Sequence, residues 1–242
     1  VAIKHTKEQY LSAYPDGIEF HYWHSSRNRI LCDQLKKINF SGVGLDIGCG
    51  RGMDVQKFRD AGFNYYGVEI SNPTPYYPQT ADYLNLNQSS LELPEEFRKD
   101  VSLISFLDVL PHMEDPYTFV KQHRAKFPNL KYILAWIVGR QELYSNYDKY
   151  VGAFRRYSLK DCYELFPGGQ PVTLQYCFHL LYLPALMLSL CKQDRNTDIQ
   201  APDKNNQFMM RAHKLVSDYL VMEAKWFPKK IFGSSIVCLM EV

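Results

Sequence analysis

The chemistry-bearing residues of this chain concentrate in Leu45-Asp46-Ile47-Gly48-Cys49-Gly50-Arg51-Gly52, directly after the apolar run that starts at Val43. Glycines at this spacing allow a tight turn and let a ligand approach the backbone closely. The helix expected next, Met53 to Ala61, presents free N–H groups at its start. Glu69 lies near the end of a second apolar stretch, Asn64 to Ile70, and follows Asp46 by 23 residues. In a parallel sheet these two strand ends are neighbours. An acid there can accept two hydrogen bonds from a ribose diol. For the loop alone, an ordinary glycine-rich turn is the alternative; the acid at that distance argues for a nucleotide. Dinucleotide sites use G-x-G-x-x-G. Here the order is Gly48-x-Gly50-x-Gly52, and Met53 stands where that pattern needs glycine. Asp46 would repel a pyrophosphate and suits a cationic amino-acid moiety.

The elements that must carry this loop are legible as alternating strands and helices, the signature of a parallel α/β sheet. A helix runs from Ser25-Ser26 to Lys37 with Ile30, Leu31, Leu35 and Ile38 on one face. The strands after the first two are Ala81 to Asn87, Val101 to Asp108, Lys131 to Val138, Pro171 to Phe178 and Ser234 to Val242. Helices are expected over Pro116 to Phe127 and Leu159 to Phe166. Pro73, Pro75 and Pro78 forbid a regular helix between the second and third strands. The expected fold is Rossmann-like α/β: a mostly parallel seven-stranded sheet, an antiparallel C-terminal strand and a helical insertion over 179–228. It forms one domain over 1–242, with residues 1–40 as an N-terminal helical lid.

Composition excludes several classes. The chain has 242 residues, 46% hydrophobic and 22% charged, which rules out wholesale disorder. Its 28 Lys and Arg against 26 Asp and Glu give a net charge of +2, too balanced for a nucleic-acid surface. The 6 cysteines are dispersed, without CxxC pairs or His-rich spacing, so neither a disulfide framework nor a metal site is expected. That usage suits a reducing, cytoplasmic compartment. No signal peptide is visible at the start. Leu174 to Cys191 is a stretch of 18 residues without a formal charge. As a helix it would reach about 27 Å, short of a bilayer core, and Pro184 interrupts it. The reading is a strand followed by a buried helix, with peripheral membrane contact as the alternative to a transmembrane span.

Three motifs together resemble the class I S-adenosylmethionine-dependent methyltransferases: Asp46-x-Gly48-Cys49-Gly50-x-Gly52, Glu69-Ile70-Ser71, and Leu107-Asp108-Val109-Leu110-Pro111-His112-Met113-Glu114-Asp115-Pro116. Glu19-Phe20-His21-Tyr22-Trp23-His24, Phe154-Arg155-Arg156-Tyr157-Ser158 and Phe232-Gly233-Ser234-Ser235 are similar to segments of one bacterial branch of that family. The resemblance implies S-adenosyl-L-methionine as cofactor. Asp46, Gly48, Cys49, Gly50 and Gly52 would meet its methionyl part, and Glu69 its ribose. Ile70 would pack on adenine, with Asn85 and Asn87 replacing the usual Asp toward the adenine amine. Phe106, Leu107 and Asp108 would line the floor. The acceptor implied is a small molecule or a glycan- or lipid-linked group.

Methyl transfer is an in-line displacement that needs alignment, and a base helps where the acceptor is a hydroxyl or amine. His112 is the catalytic candidate, delivered by the fourth strand's end; a cofactor-orienting role is its alternative. Arg155, Arg156 and Tyr157 are candidates for an anionic substrate group, or else a surface pair beside a helix start. Tyr22, Trp23, His179 and Tyr182 are expected to line the acceptor pocket. Two other function classes stay open on the residues alone: a non-catalytic cofactor-binding module, and a nicotinamide oxidoreductase, which Met53 counts against.

Overall fold

The computed structural model describes residue 10, residues 12–197 and residues 200–242. The part of the expected lid over residues 1–9 and Leu11 lies outside the described residues, as do insertion residues 198 and 199. Seven strands form one sheet in the order β3-β2-β1-β4-β5-β7-β6. They are β1 (Val43–Ile47), β2 (Asn64–Glu69), β3 (Leu84–Leu86), β4 (Val101–Leu107), β5 (Tyr132–Val138), β6 (Gln170–Cys177) and β7 (Ser235–Glu241). All neighbours pair in parallel except β7, which runs antiparallel to both β5 and β6. This is the Rossmann-like α/β architecture expected from the strand–helix alternation, with the closing strand reversed.

The central strands read as unbroken apolar runs because both faces are covered. Along β5, Ile133, Ala135 and Ile137 enter one core while Leu134 and Trp136 enter the other. One layer holds α1 (Tyr22–Lys37), α2 (Met53–Asp60) and α8 (Gln207–Trp226). The other holds α3 (Glu95–Asp100), α4 (Pro116–Lys126) and α6 (Leu159–Glu164). Between them in sequence stand the short α5 (Asn146–Tyr150) and the insertion's first helix, α7 (His179–Leu190).

Several boundaries differ from the sequence reading for identifiable reasons. Helix α1 starts a turn before Ser25, because His21 caps it by accepting from the Trp23 N–H at 3.3 Å. Strand β3 is short, because Pro78–Tyr83 closes as a 3-10 turn and carries residues expected in the strand. Helix α3, entered from Pro94, went unread between β3 and β4. Helix α7 is not buried as expected: Leu180, Leu183, Met187 and Leu190 are exposed.

The insertion is pinned by one buried acid. Glu223, in the last turns of α8, accepts from the His179 N–H at 2.7 Å and the Leu180 N–H at 3.0 Å. It thereby satisfies two of the free donors at the start of α7. Phe178, just before them, is held at φ 61. Glu223→Ala would leave both N–H groups unpaired in a buried place and should destabilise the fold by about 2–5 kcal/mol in urea unfolding. Glu223→Gln, which keeps one acceptor, should recover part of that loss.

Candidate active site

The glycine loop is fixed from beneath by β2. Gly48 and Cys49 both donate to the Val68 carbonyl, at 2.9 and 3.2 Å. Gly48 has φ 76, and a Cβ there would stand 2.7 Å from Val109 Cγ2, so a side chain is excluded on both counts. Cys49 is a buried filler, its thiol pushed well up by burial and then by Asp46. Gly52 occupies the N-cap of α2.

Glu69 is buried beside the loop. One carboxylate oxygen accepts from the Gly50 N–H and the other from the Ser71 N–H, each at 3.0 Å. The Tyr10 hydroxyl hydrogen-bonds with Glu69 and Ser71, and burial raises its pKa. Tyr10 and Tyr14 also come within 3.5 and 3.7 Å of where a Gly50 Cβ would stand. The N-terminal segment therefore lies over the loop.

Around these groups the charge is unbalanced. Asp46, Asp54 and Glu69 are buried, and Asp108 closes β4 at φ 59, an uncommon conformation for a non-glycine residue. Arg27 is the cation among them. Its Nη2 donates to Asp54 Oδ2 at 2.7 Å, and its Nε lies 3.6 Å from Asp108 Oδ2. Asp54 Oδ1, Asp108 Oδ1 and Arg27 Nε have no hydrogen-bond partner. Burial pushes the Asp46 carboxyl well up, with Asp54 adding to it, although Ser105 donates to Asp46 at 2.7 Å. Burial lifts Asp108 to about 6, against the pull of Arg27.

The family of methyltransferase domains matches residues 19–134. Those residues carry a methyltransferase domain. Solved structures share the fold. One is the Burkholderia thailandensis 1,6-didemethyltoxoflavin-N1-methyltransferase with bound 1,6-didemethyltoxoflavin and S-adenosylhomocysteine. It is 20% identical, with a TM-score of 0.51 over 70% of this chain and 78% of that one. A second is a Thermotoga maritima S-adenosylmethionine-dependent methyltransferase, described as a possible histamine N-methyltransferase. It is 15% identical, with a TM-score of 0.53 over 96% of this chain and 98% of that one. The 4+2 cyclase SpnF, 13% identical, reaches a TM-score of 0.53 over 90% and 82%. Its chemistry shows that the fold alone does not set the reaction. Among curated proteins, no sequence matches the chain.

The residues of this site fit S-adenosylmethionine. The glycine cradle excludes side chains, Glu69 sets a buried carboxylate beside the loop, and the unpartnered atoms of Asp54, Asp108 and Arg27 suit an ammonium and a carboxylate. No group of three or more metal-ligating side chains occurs among the described residues.

The remaining expectations fare unevenly. Ile70 is half-buried at the end of β2. Asn85 turns its amide to the Gly67 carbonyl at 3.5 Å, and Asn87 is exposed at φ 55. Leu107 is buried beneath Asp108 in the α1 layer. Phe106 does not form the floor: strand alternation sends its ring to the opposite core, against Phe119 and His123. His112 stands half-buried on the 3-10 turn Leu110–His112 after β4.

The acceptor candidates need more correction. Arg156 is not open to an acceptor, because it is buried and forks onto Asp148 at 2.8 and 3.1 Å. Arg155 donates to the Glu114 carbonyl, and the buried Tyr157 hydroxyl to the Leu110 carbonyl. These three residues fasten loops. His179 is buried between Phe227 and Phe232. Tyr182 is buried and donates to Glu142. Trp23 packs edge-on against Trp136 and Phe178 in the core. Tyr22 keeps a half-buried place beside His21 and His213, and Trp23 is half-buried as well.

Sequence reading missed Tyr147 and Arg195. Asn146 clasps the Arg195 backbone with two 2.8 Å hydrogen bonds, and the guanidinium lies 5.7 Å over the Tyr147 ring. Tyr147 in turn feels the charge of Asp108. No spacing signal links positions so far apart.

The Asp108 carboxylate is charged above about pH 6 and neutral below it. Its charged form attracts a cationic cofactor. S-adenosylmethionine affinity by calorimetry should therefore fall as pH drops through about 6, and Asp108→Asn should flatten that dependence.

Proposed function

We propose that this methyltransferase transfers a methyl group from S-adenosylmethionine to a small-molecule, glycan or lipid-linked acceptor, with His112 as base. The observation that carries the reading is the excess of buried carboxylate around the glycine loop. Asp46, Asp54 and Glu69 are buried there, and the half-buried Asp108 joins Asp54 beside the one cation, Arg27. Buried charge of one sign asks for a ligand of the other. When bound, S-adenosylmethionine supplies an electrophilic methyl group and brings the compensating positive charge.

The chain's own residues divide the remaining work. Glu69 holds the ribose, its carboxylate taking a hydroxyl beside the bonds from Gly50, Ser71 and Tyr10. Asp46, Asp54 and Arg27 hold the amino-acid end, the acids taking its ammonium and the guanidinium its carboxylate. Val109 and the glycine backbone close the floor in place of Phe106. The acceptor approaches past Tyr22, Tyr147 and Arg195, where α1 meets the insertion: the Tyr22 N–H donates to His213 at 3.2 Å, and Arg29 pairs with Asp218 at 2.6 Å. His112, five residues past Leu107 at the end of β4, takes the acceptor's proton.

Two variants test the assignment. Glu69→Ala should lower S-adenosylmethionine affinity by about 1–3 kcal/mol through the lost acceptors. Unchanged affinity by calorimetry would defeat the ribose role. His112→Ala should cut S-adenosylhomocysteine formation by roughly 10²–10⁴-fold on an acceptor that the parent enzyme turns over, with cofactor affinity nearly intact. Loss of both together would make His112 a cofactor-positioning residue. Wild-type turnover would remove it from the mechanism.

A further inference from the structure

The insertion between β6 and β7 carries apolar surface that nothing in the chain covers. Helix α7 has no charged residue along its length. On one face Leu183, Met187 and Leu190 are 59%, 67% and 73% exposed, at the four- and three-residue steps of a helical stripe. The connection from α8 into β7 reads Trp226-Phe227-Pro228-Lys229-Lys230-Ile231-Phe232. Trp226 is 82% exposed and Ile231 61%. Phe227 and Phe232 pack on His179, 5.5 and 5.4 Å between ring centres, so this connection lies beside the start of α7.

Charge says what covers this surface. Residues 179–232 hold eight Lys and Arg against five Asp and Glu, a net +3 in a chain whose total is +2. Two of the acids are withdrawn, Glu223 buried under α7 and Asp218 held by Arg29 and Lys214, while Asp194 is exposed past the end of α7. Lys229 and Lys230 pair with no carboxylate among the described residues. A second copy docking by the same face would bring like charge against like. An apolar stripe, an exposed indole and unpaired lysines together match a phospholipid interface, where aromatic rings sit at headgroup depth and lysines reach phosphates. No helix of the described residues is long and apolar enough to cross a membrane.

We propose that α7 and the Trp226–Phe232 connection form a docking face for the surface of an anionic lipid bilayer. Leu183, Met187 and Leu190 enter the acyl boundary, Trp226 lies at headgroup level, and Lys229 and Lys230 meet lipid phosphates. This inference does not depend on the methyl-transfer reading, and its test requires no turnover.

The full chain would be sedimented with phosphatidylcholine vesicles containing or lacking phosphatidylserine, while tryptophan emission is followed. Binding to the anionic vesicles alone is expected, weakened by salt, with a blue shift that Trp226→Phe removes. Lys229→Glu with Lys230→Glu should weaken binding by roughly thirtyfold, and Leu183→Asp with Met187→Asp should abolish it. Unchanged circular dichroism and S-adenosylmethionine affinity would show that these variants remain folded. The parent protein's emission shift needs no variant at all. Absence of binding, or equal binding to neutral vesicles, overturns the proposal. So does sedimentation equilibrium showing a dimer that Met187→Asp dissociates, since the occupant would then be a second copy.

Discussion

Arg27 buries a guanidinium between Asp54 and Asp108, within the field of Asp46, and the cofactor side of the molecule is arranged around that fact. A buried charge is tolerated only with partners, and Arg27 draws them from α2 through Asp54 and from the end of β4 through Asp108. Three elements distant in sequence thus share one ion cluster. Its ring neighbour Trp23, 5.1 Å away, extends the contact into the core. The start of α2, the end of β4 and the local field therefore meet at a single side chain of α1.

A second buried pair governs the opposite wall. Arg156 and Asp148 lock the segment after β5 against the strand that precedes it. Tyr144 adds a hydrogen bond to the Ala153 carbonyl at 2.8 Å. This rigid segment presents Tyr147 and Asn146, and Asn146 holds Arg195 of the insertion. The two walls differ in kind. One is a net-negative cluster with unsatisfied atoms, and the other is a closed, satisfied network that positions what stands on it. Unsatisfied polar atoms belong where a ligand arrives; satisfied ones belong where geometry must persist.

The strands were legible because burial on both faces writes continuous apolar runs, and Val101 to Leu107 and Tyr132 to Val138 stand out for that reason. The glycine loop and Glu69 were legible because backbone conformation and strand-end acidity constrain residue type at fixed separation. Arg156 was misread because a basic pair beside Ser158 looks the same whether it faces solvent or a buried Asp148 eight residues earlier in the short helix α5. Phe106 was misread because a run apolar on both faces hides which residue points which way. Helix α7 looked buried because its composition is that of a core helix; only tertiary placement leaves one face out. Arg195 gave no signal, since it stands in a polar connection without periodicity.

Strand order has a consequence for how the chain is made. β6 touches the sheet only through β7, and β7 wedges between β5 and β6 in the reverse direction. During synthesis, β1 to β5 can assemble as soon as Val138 emerges, since each pairs with strands already made. β6 and the insertion must wait, unmoored, until Ser235–Glu241 arrives. The most apolar helix of the protein is thus the last to be anchored, and a ribosome pausing late in translation would expose it longest. Non-local pairing of this kind is slow and leaves such surface open to aggregation or to early capture.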